Sequence, residues 1–183
     1  SEVKAPATYK KPESIAEWLA ENREIAALEA LGKTSFDPAS GHICTIAWAD
    51  DQGEILSAHA ADVGQEADVL RSFFSHLSFK PRQFIGHYIS GFDLRFILCR
   101  AVILGVKIPR AIPRDIKPWS PSVFDTMVAW AGAKGSISQD RLCDALGLTG
   151  KGDFDGSKVA AAWAAGEHEK IEAYCRDDVA TVR

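Results

Sequence analysis

Near the end of the chain, Ile171, Tyr174, Cys175, Asp178 and Val182 recur at i, i+3, i+4, i+7 and i+11, the spacing of one helical face. Four of them are residues a core accepts. The fifth is a carboxylate, whose burial is costly unless a cation or strong donors compensate it. Asp177 lies about 100° around the helix and reaches water, so the pair offers one solvated acid and one inward acid. Tyr174 sits one turn before Asp178 on the same face, and a phenol and a carboxylate can therefore serve one small site. The structural alternative is a buried acid held by an arginine or a helix N-terminus, since ion pairs perturb acids as readily as active sites do.

A second acid sharpens the pattern. Residues 83–97 read as a short strand, a glycine-flanked turn and a helix. Phe84 and Ile85 follow Pro81 as a short apolar run, and Gly86 and Gly91 punctuate the turn. From Phe92 the period becomes helical, with Phe96, Ile97, Val102, Ile103 and Leu104 apolar and Gly105 a stop. Asp93 shares its face with Phe96, Ile97 and Arg100. It is expected in the first turn, facing inward, just beyond the carboxyl end of a strand, where open α/β sheets bind ligands. The helix dipole favours an acid there whether or not it binds anything. Asp125, after Phe124 at the end of another short strand, can approach the same place.

Gly86-His87, followed three residues later by Gly91-Phe92-Asp93, resembles the second exonuclease motif of the DnaQ-like 3′–5′ exonucleases. Tyr174-x-x-x-Asp178 resembles the third motif of their tyrosine-bearing (DEDDy) branch. The likeness continues through Val123-Phe124-Asp125-Thr126-Met127 and residues 138–148, and covers about Phe36 to the end. Together these segments resemble the predicted exonucleases related to the proofreading domain of family-B DNA polymerases. That resemblance implies that Asp93 and Asp178 are metal ligands for Mg²⁺ or Mn²⁺ and that Tyr174 orients the attacking water. It makes Asp125 a supporting residue without a direct metal bond. His87 is either a contact to the scissile phosphate or a buried, hydrogen-bonded histidine. Phe92 is either a wedge against the terminal base or sugar or a core residue.

Two positions depart from that pattern. The family's first motif, Asp-x-Glu on an opening strand, supplies two of four metal-binding carboxylates, and no such motif lies on an apolar strand here. The stretch from Ser1 to Ala7 has no strand character, Asp50-Asp51 falls in a turn, and Arg183 stops in mid-helix. Both ends are therefore expected to be clipped, with the opening strand missing. Tyr88 stands where the family commonly has an asparagine, offering a distant hydroxyl in place of a donor and an acceptor.

The elements that must position these residues follow the same order. A helix is expected from Pro12, with Glu13 and Glu17 at its positive end, Ile15, Trp18, Leu19, Ile25, Leu28 and Leu31 apolar, and Gly32 as its end. Residues 42–48 and 54–58 read as a hairpin around Asp50-Asp51-Gln52-Gly53. An amphipathic helix then turns Val69, Leu70, Phe73, Phe74 and Leu77 inward. After the Asp93 motif comes a connection bearing Pro109, Pro113, Pro118 and Pro121, with Lys107, Arg110, Arg114 and Lys117 on what reads as a solvated loop, a nucleic-acid contact being the alternative. Gly150-Lys151-Gly152 lacks the first glycine and the Ser/Thr of a phosphate loop. The segment from Asp153 to Gly156 lacks the ligands of a calcium loop and is expected to cap a helix over 157–165.

This order predicts an α/β fold, a ribonuclease-H-like mixed sheet flanked by helices. Residues 1–35 form an N-terminal helical extension and residues 36–183 the core of one exonuclease-like domain. A 46% hydrophobic composition is ample for a core, and no stretch is apolar enough to cross a membrane. Cys44, Cys99, Cys143 and Cys175 show no zinc spacing and read as reduced cysteines of a cytoplasmic protein. With 25 acidic against 21 basic residues, net −4, a broad basic face for duplex is not expected, but a grip on a few nucleotides at a strand end is compatible. The expected function is metal-dependent 3′–5′ hydrolysis at the 3′ end of single-stranded DNA. The alternatives are the same chemistry on RNA, or a degenerate domain that binds nucleic acid or protein without cleaving. The sequence leaves the oligomeric state open.

Overall fold

Proline has no amide hydrogen to leave unsatisfied in a first helical turn, and helix α1, Pro12–Thr34, begins on Pro12 with Glu13 beside it. It runs through Gly32, which was expected to end it. A helical glycine costs only about 1 kcal/mol relative to alanine, and Gly32 meets nothing that would force a turn. The computed structural model describes residues 3–50, 53–77, 83–117, 119–150 and 154–183, with the backbone alone for 28–31 and 33. The side chains of Leu28 and Leu31, and Asp51, Gln52, Pro81, Pro118, Lys151, Gly152 and Asp153, lie outside the described residues. Two compact units divide the chain, Ser1–Gly41 and His42–Arg183. In the first, Tyr9 packs on Trp18 with ring centroids 6.3 Å apart, and Ile25 is exposed.

The second unit is a mixed α/β structure. Strands β1, Thr45–Trp48, and β2, Leu56–His59, pair antiparallel from Thr45↔His59 to Trp48↔Leu56. Helix α2, Glu66–Ser75, buries Val69, Leu70, Phe73 and Phe74. Leu77 follows the helix and packs against the same core. Strand β3, Phe84–Gly86, leads to helix α3, Asp93–Ile103, and strand β4, Val123–Asp125, pairs parallel to β3. Helices α4, Thr126–Ala131, α5, Gln139–Leu146, α6, Val159–Ala164, and α7, His168–Val182, complete it. Asp155 caps the short turn before α6 by accepting from Ser157 N–H at 2.8 Å, as the sequence suggested.

Among the described residues the strands form two separate pairs, β1–β2 and β3–β4, instead of the one mixed sheet expected. Strands of three and four residues offer few ladder bonds. The link between the pairs is instead α7, which packs against β1, β2 and β3. Phe96, Ile97 and Ala101 of α3 meet the apolar face of α2, each fully buried large side chain contributing about 1.5–3 kcal/mol. Val102 and Ile103, apolar in the sequence pattern, point to solvent at the end of the helix. There Gly105 takes φ +64° and Val106 N–H bonds back to Ala101 C=O at 2.8 Å. The proline-bearing connection is anchored by Ile112, only 1% exposed.

One ion pair lies inside this core. Glu66 is 0% exposed and accepts Arg100 Nε at 2.8 Å and Arg100 Nη2 at 2.6 Å, and its Oε1 also takes Ile43 N–H at 2.9 Å. This fork joins α2, α3 and the entry to β1, and the hydrogen bond to Glu66 raises the Arg100 pKa despite burial. Removing one partner of such a pair strands the other charge. Arg100→Met is expected to lower the unfolding free energy in urea by about 3–5 kcal/mol. Glu66→Met/Arg100→Met should lose clearly less than the sum of the single substitutions, and additive losses would show that the pair is not coupled.

Candidate active site

Asp125 ends β4, is 2% exposed, and gathers five donors. Its Oδ1 accepts Tyr88 N–H at 3.0 Å, Met127 N–H at 3.1 Å and Val128 N–H at 3.4 Å; its Oδ2 accepts Ser90 N–H at 3.0 Å and Ser90 Oγ at 2.5 Å. The carboxylate thus caps α4 and at the same time holds the β3–α3 turn. Within that turn, Gly86 and Gly91 allow close approach. A Cβ on Gly86 would lie 2.8 Å from Ile89 Cβ, and one on Gly91 would collide with the Tyr88 ring. Tyr88 itself has φ +58°, a left-handed conformation that costs a residue of its type about 1–3 kcal/mol.

Asp93 is the first residue of α3 and is exposed, against the expectation that it faces inward. The inward positions of the helix are Leu94, Phe96, Ile97, Arg100 and Ala101. Leu94 beside it is only 1% exposed, so the first turn meets the core through Leu94, and the Asp93 carboxylate stays on the side open to water instead of paying for burial. Asp178 differs. It is half-buried on α7 with its Oδ1 buried, while Asp177 is exposed, as the helical spacing required.

Several contacts fix the rotation of α7. Glu172 accepts Ser57 Oγ at 2.6 Å and pairs with His59 Nδ1 at 3.0 Å, and Arg176 donates to Ser57 Oγ at 3.0 Å. On the other side Gln139 Nε2, at the start of α5, donates to the Asp178 carbonyl at 3.2 Å. Tyr174 is half-buried, packs edge-on against Phe154 with centroids 5.2 Å apart, and has its hydroxyl near Gly156. It shares a face with Asp178 one turn on.

Cys175 lies on the same face of α7 as Tyr174 and Asp178. Burial pushes its thiol up from 9.0 to about 12, the Asp178 carboxylate adds to the shift, the Ala47 N–H donating to the sulfur opposes it, and Asp93 and Cys44 add smaller contributions. Asp93 and Asp178, 85 positions apart, therefore act on the same sulfur. Carboxylate oxygens suit hard divalent cations, but two are too few for a two-metal site. Among the described residues no three His, Cys, Asp or Glu side chains gather where a metal ion could be held.

His87 is half-buried, with Nδ1 3.0 Å from Thr126 Oγ1 and Nε2 2.9 Å from Ile137 C=O. A carbonyl only accepts, so Nε2 carries the proton and the ring ties the turn to α4 and to the segment before α5. Phe92 packs on Phe96 at 5.4 Å between centroids and against the core. Sequence reasoning missed Ser90, Gln139, Thr126 and Glu172. Ser90 inside the glycine-flanked turn carried a usable signal, as a short hydroxyl in a turn commonly satisfies buried acceptors; the other three carried none.

The family described as predicted 3′–5′ exonuclease related to the exonuclease domain of PolB matches residues 39–182. No curated protein and no solved structure matches the chain. No helix among the described residues is long and apolar enough to cross a membrane.

A thiol held neutral to about 12 in the fold, but ionising from 9.0 in the unfolded chain, lets the unfolded state lose its proton first. Stability from this group is intact below pH 9 and is lost as pH rises toward 12. The unfolding free energy is expected to fall across that window, with a shallower fall in Cys175→Ala. At pH 8 iodoacetamide should label Cys175 only after denaturation, because the thiolate is the nucleophile. Prompt labelling of native protein would contradict this environment.

Proposed function

The chain belongs to the family of predicted 3′–5′ exonucleases related to the exonuclease domain of PolB, and on that premise we propose that it removes nucleotides from the 3′ end of single-stranded DNA with Mg²⁺ or Mn²⁺. What supports this reading is the family match together with Asp93 at the head of the helix that follows β3, and Tyr174 and Asp178 one turn apart on α7, which packs against β3; the carboxyl ends of strands are where open α/β sheets bind ligands. Asp93 and Asp178 are the metal-binding carboxylates. Tyr174, one turn before Asp178, orients the water that attacks phosphorus. Asp125 acts through the backbone of the turn before Asp93, and His87 holds that same turn in place. Bound divalent ions would supply activation of water and neutralisation of the phosphate and leaving oxygen.

The residues described supply two of the carboxylates such a site needs. We place the others on a further strand between β1 and β3, both of which lie against α7. That strand would join the two pairs into one ribonuclease-H-like mixed sheet. The edge of β1 facing away from β2 suits it. Ala60 N–H bonds Cys44 C=O at 2.8 Å, so the alternation of an antiparallel pair turns Ala47 N–H outward. There it meets the Cys175 sulfur, a weak acceptor that a strand carbonyl would outdo. The shortage of carboxylates also favours a second reading, a non-cleaving domain that binds nucleic acid or a protein. Metal-dependent cleavage of RNA requires no different arrangement of these residues.

A chain carrying the completing acids is expected to release mononucleotides from the 3′ end of a labelled oligonucleotide in Mn²⁺ or Mg²⁺. Asp178→Asn should abolish release while keeping the side-chain shape. Tyr174→Phe should slow it about 10²-fold, as for loss of one positioned catalytic group, with metal affinity by calorimetry little changed. Residues 1–183 by themselves should bind Mg²⁺ weakly and cleave poorly. Full activity of Asp178→Asn would discard the assignment, and robust metal-dependent cleavage by residues 1–183 would show that other acids of this chain complete the site.

A further inference from the structure

The turn that precedes Asp93 keeps one residue in a backbone conformation its type disfavours. Tyr88 has φ +58°, where asparagine, aspartate and glycine are the usual occupants. The surrounding hydrogen bonds over-determine that conformation. Tyr88 N–H donates to Asp125 Oδ1 at 3.0 Å, and Tyr88 C=O accepts Gly91 N–H at 3.1 Å and Phe92 N–H at 2.9 Å. All three bonds use backbone atoms, so an asparagine would make them at lower conformational cost. The tyrosine ring does not repay the strain by filling the core, because the residue is 48% exposed.

The ring is nevertheless held. It lies against Gly91 so closely that a Cβ there would run into Cε2 and Cζ. Cδ2, Cε2 and Cζ of the ring lie against the bare Gly91 backbone, and nearly half of the residue remains exposed. Tyr88 is five positions before Asp93 and is hydrogen-bonded to the residue next to it. A strained backbone, an exposed aromatic and a backing residue without a side chain thus coincide at the mouth of the candidate site, and retained strain of this kind marks functional positions. The neighbouring aromatics are otherwise engaged, Phe92 with Phe96 and the core, Tyr174 with Phe154.

We propose that Tyr88 is a base-stacking residue of this site, its outward face taking a nucleobase at the 3′ end of a single strand. The proposal rests on the exonuclease reading above. Every base has a π-face, so stacking grips strand ends of any sequence, and a chain of net charge −4 gains little from a general basic surface.

Fluorescence polarisation of labelled oligothymidylate and oligoadenylate, with EDTA present to prevent cleavage, tests it on the whole chain. Tyr88→Ala and Tyr88→Asn should weaken binding about five- to 150-fold, the range for losing one stacked base. The loss should be larger for oligoadenylate, whose purines stack more strongly. Tyr88→Phe, which keeps the ring, should bind within about twofold of the parent. Tyr88→Asn should also raise Tm by about 2–4 °C through relief of the left-handed strain, a gain that a misfolded variant would not show. If the parent binds and both ring-less variants bind equally well, Tyr88 is not a stacking residue and the exonuclease reading stands. A parent protein that binds neither oligonucleotide overturns both.

Discussion

The carboxylate of Asp125 is the constraint on which the site depends. It sits at the carboxyl end of β4, nearly inaccessible to water, and it is satisfied from two directions at once. Met127 and Val128 donate from the first turn of α4, and Tyr88 and Ser90 donate from the β3–α3 turn. A buried charge without such partners would cost several kcal/mol or more, so the two turns cannot part without exposing it. Gly86 and Gly91 allow the close approach, His87 adds a link to Thr126, and Asp93 emerges at a fixed place as the first residue of the next helix. A conformational preference is overridden along the way, since Tyr88 stays left-handed for the sake of the Asp125 bond.

The other half of the site is set by α7, whose phase is fixed by polar contacts on both sides. Glu172, His59, Ser57 and Arg176 lock it to β2, and Gln139 reaches the backbone at Asp178. The two acids lie in different environments. Asp93 is hydrated and Asp178 has one oxygen buried.

Local patterning made much of this legible. The helical spacing of Ile171, Tyr174, Cys175 and Asp178 located α7 and the half-buried acid, and the apolar stripe of α2 identified Val69, Leu70, Phe73 and Phe74 as core. What failed to show were features set by tertiary contact. The outward turn of Asp93 depends on how the first turn of α3 meets the core, which periodicity does not encode. Glu66, a first-turn acid that is fully buried, and its partner Arg100 are 34 positions apart, and nothing local pairs them. Gly91 was visible as a turn residue, but its cause is the tyrosine ring lying on it, a contact that exists only after Tyr88 is forced left-handed. That α7 packs against both strand pairs is likewise a long-range outcome.

The central claim is that Asp93 and Asp178 face one cation-attracting place. Paramagnetic broadening of backbone amide signals by dilute Mn²⁺ tests it directly and works even where binding is weak. The account predicts that amides around Asp93 and around Asp178 broaden together, and that either Asp93→Asn or Asp178→Asn removes the effect at both. Broadening confined to one of the two segments, or unaffected at one when the other acid is neutralised, would contradict it.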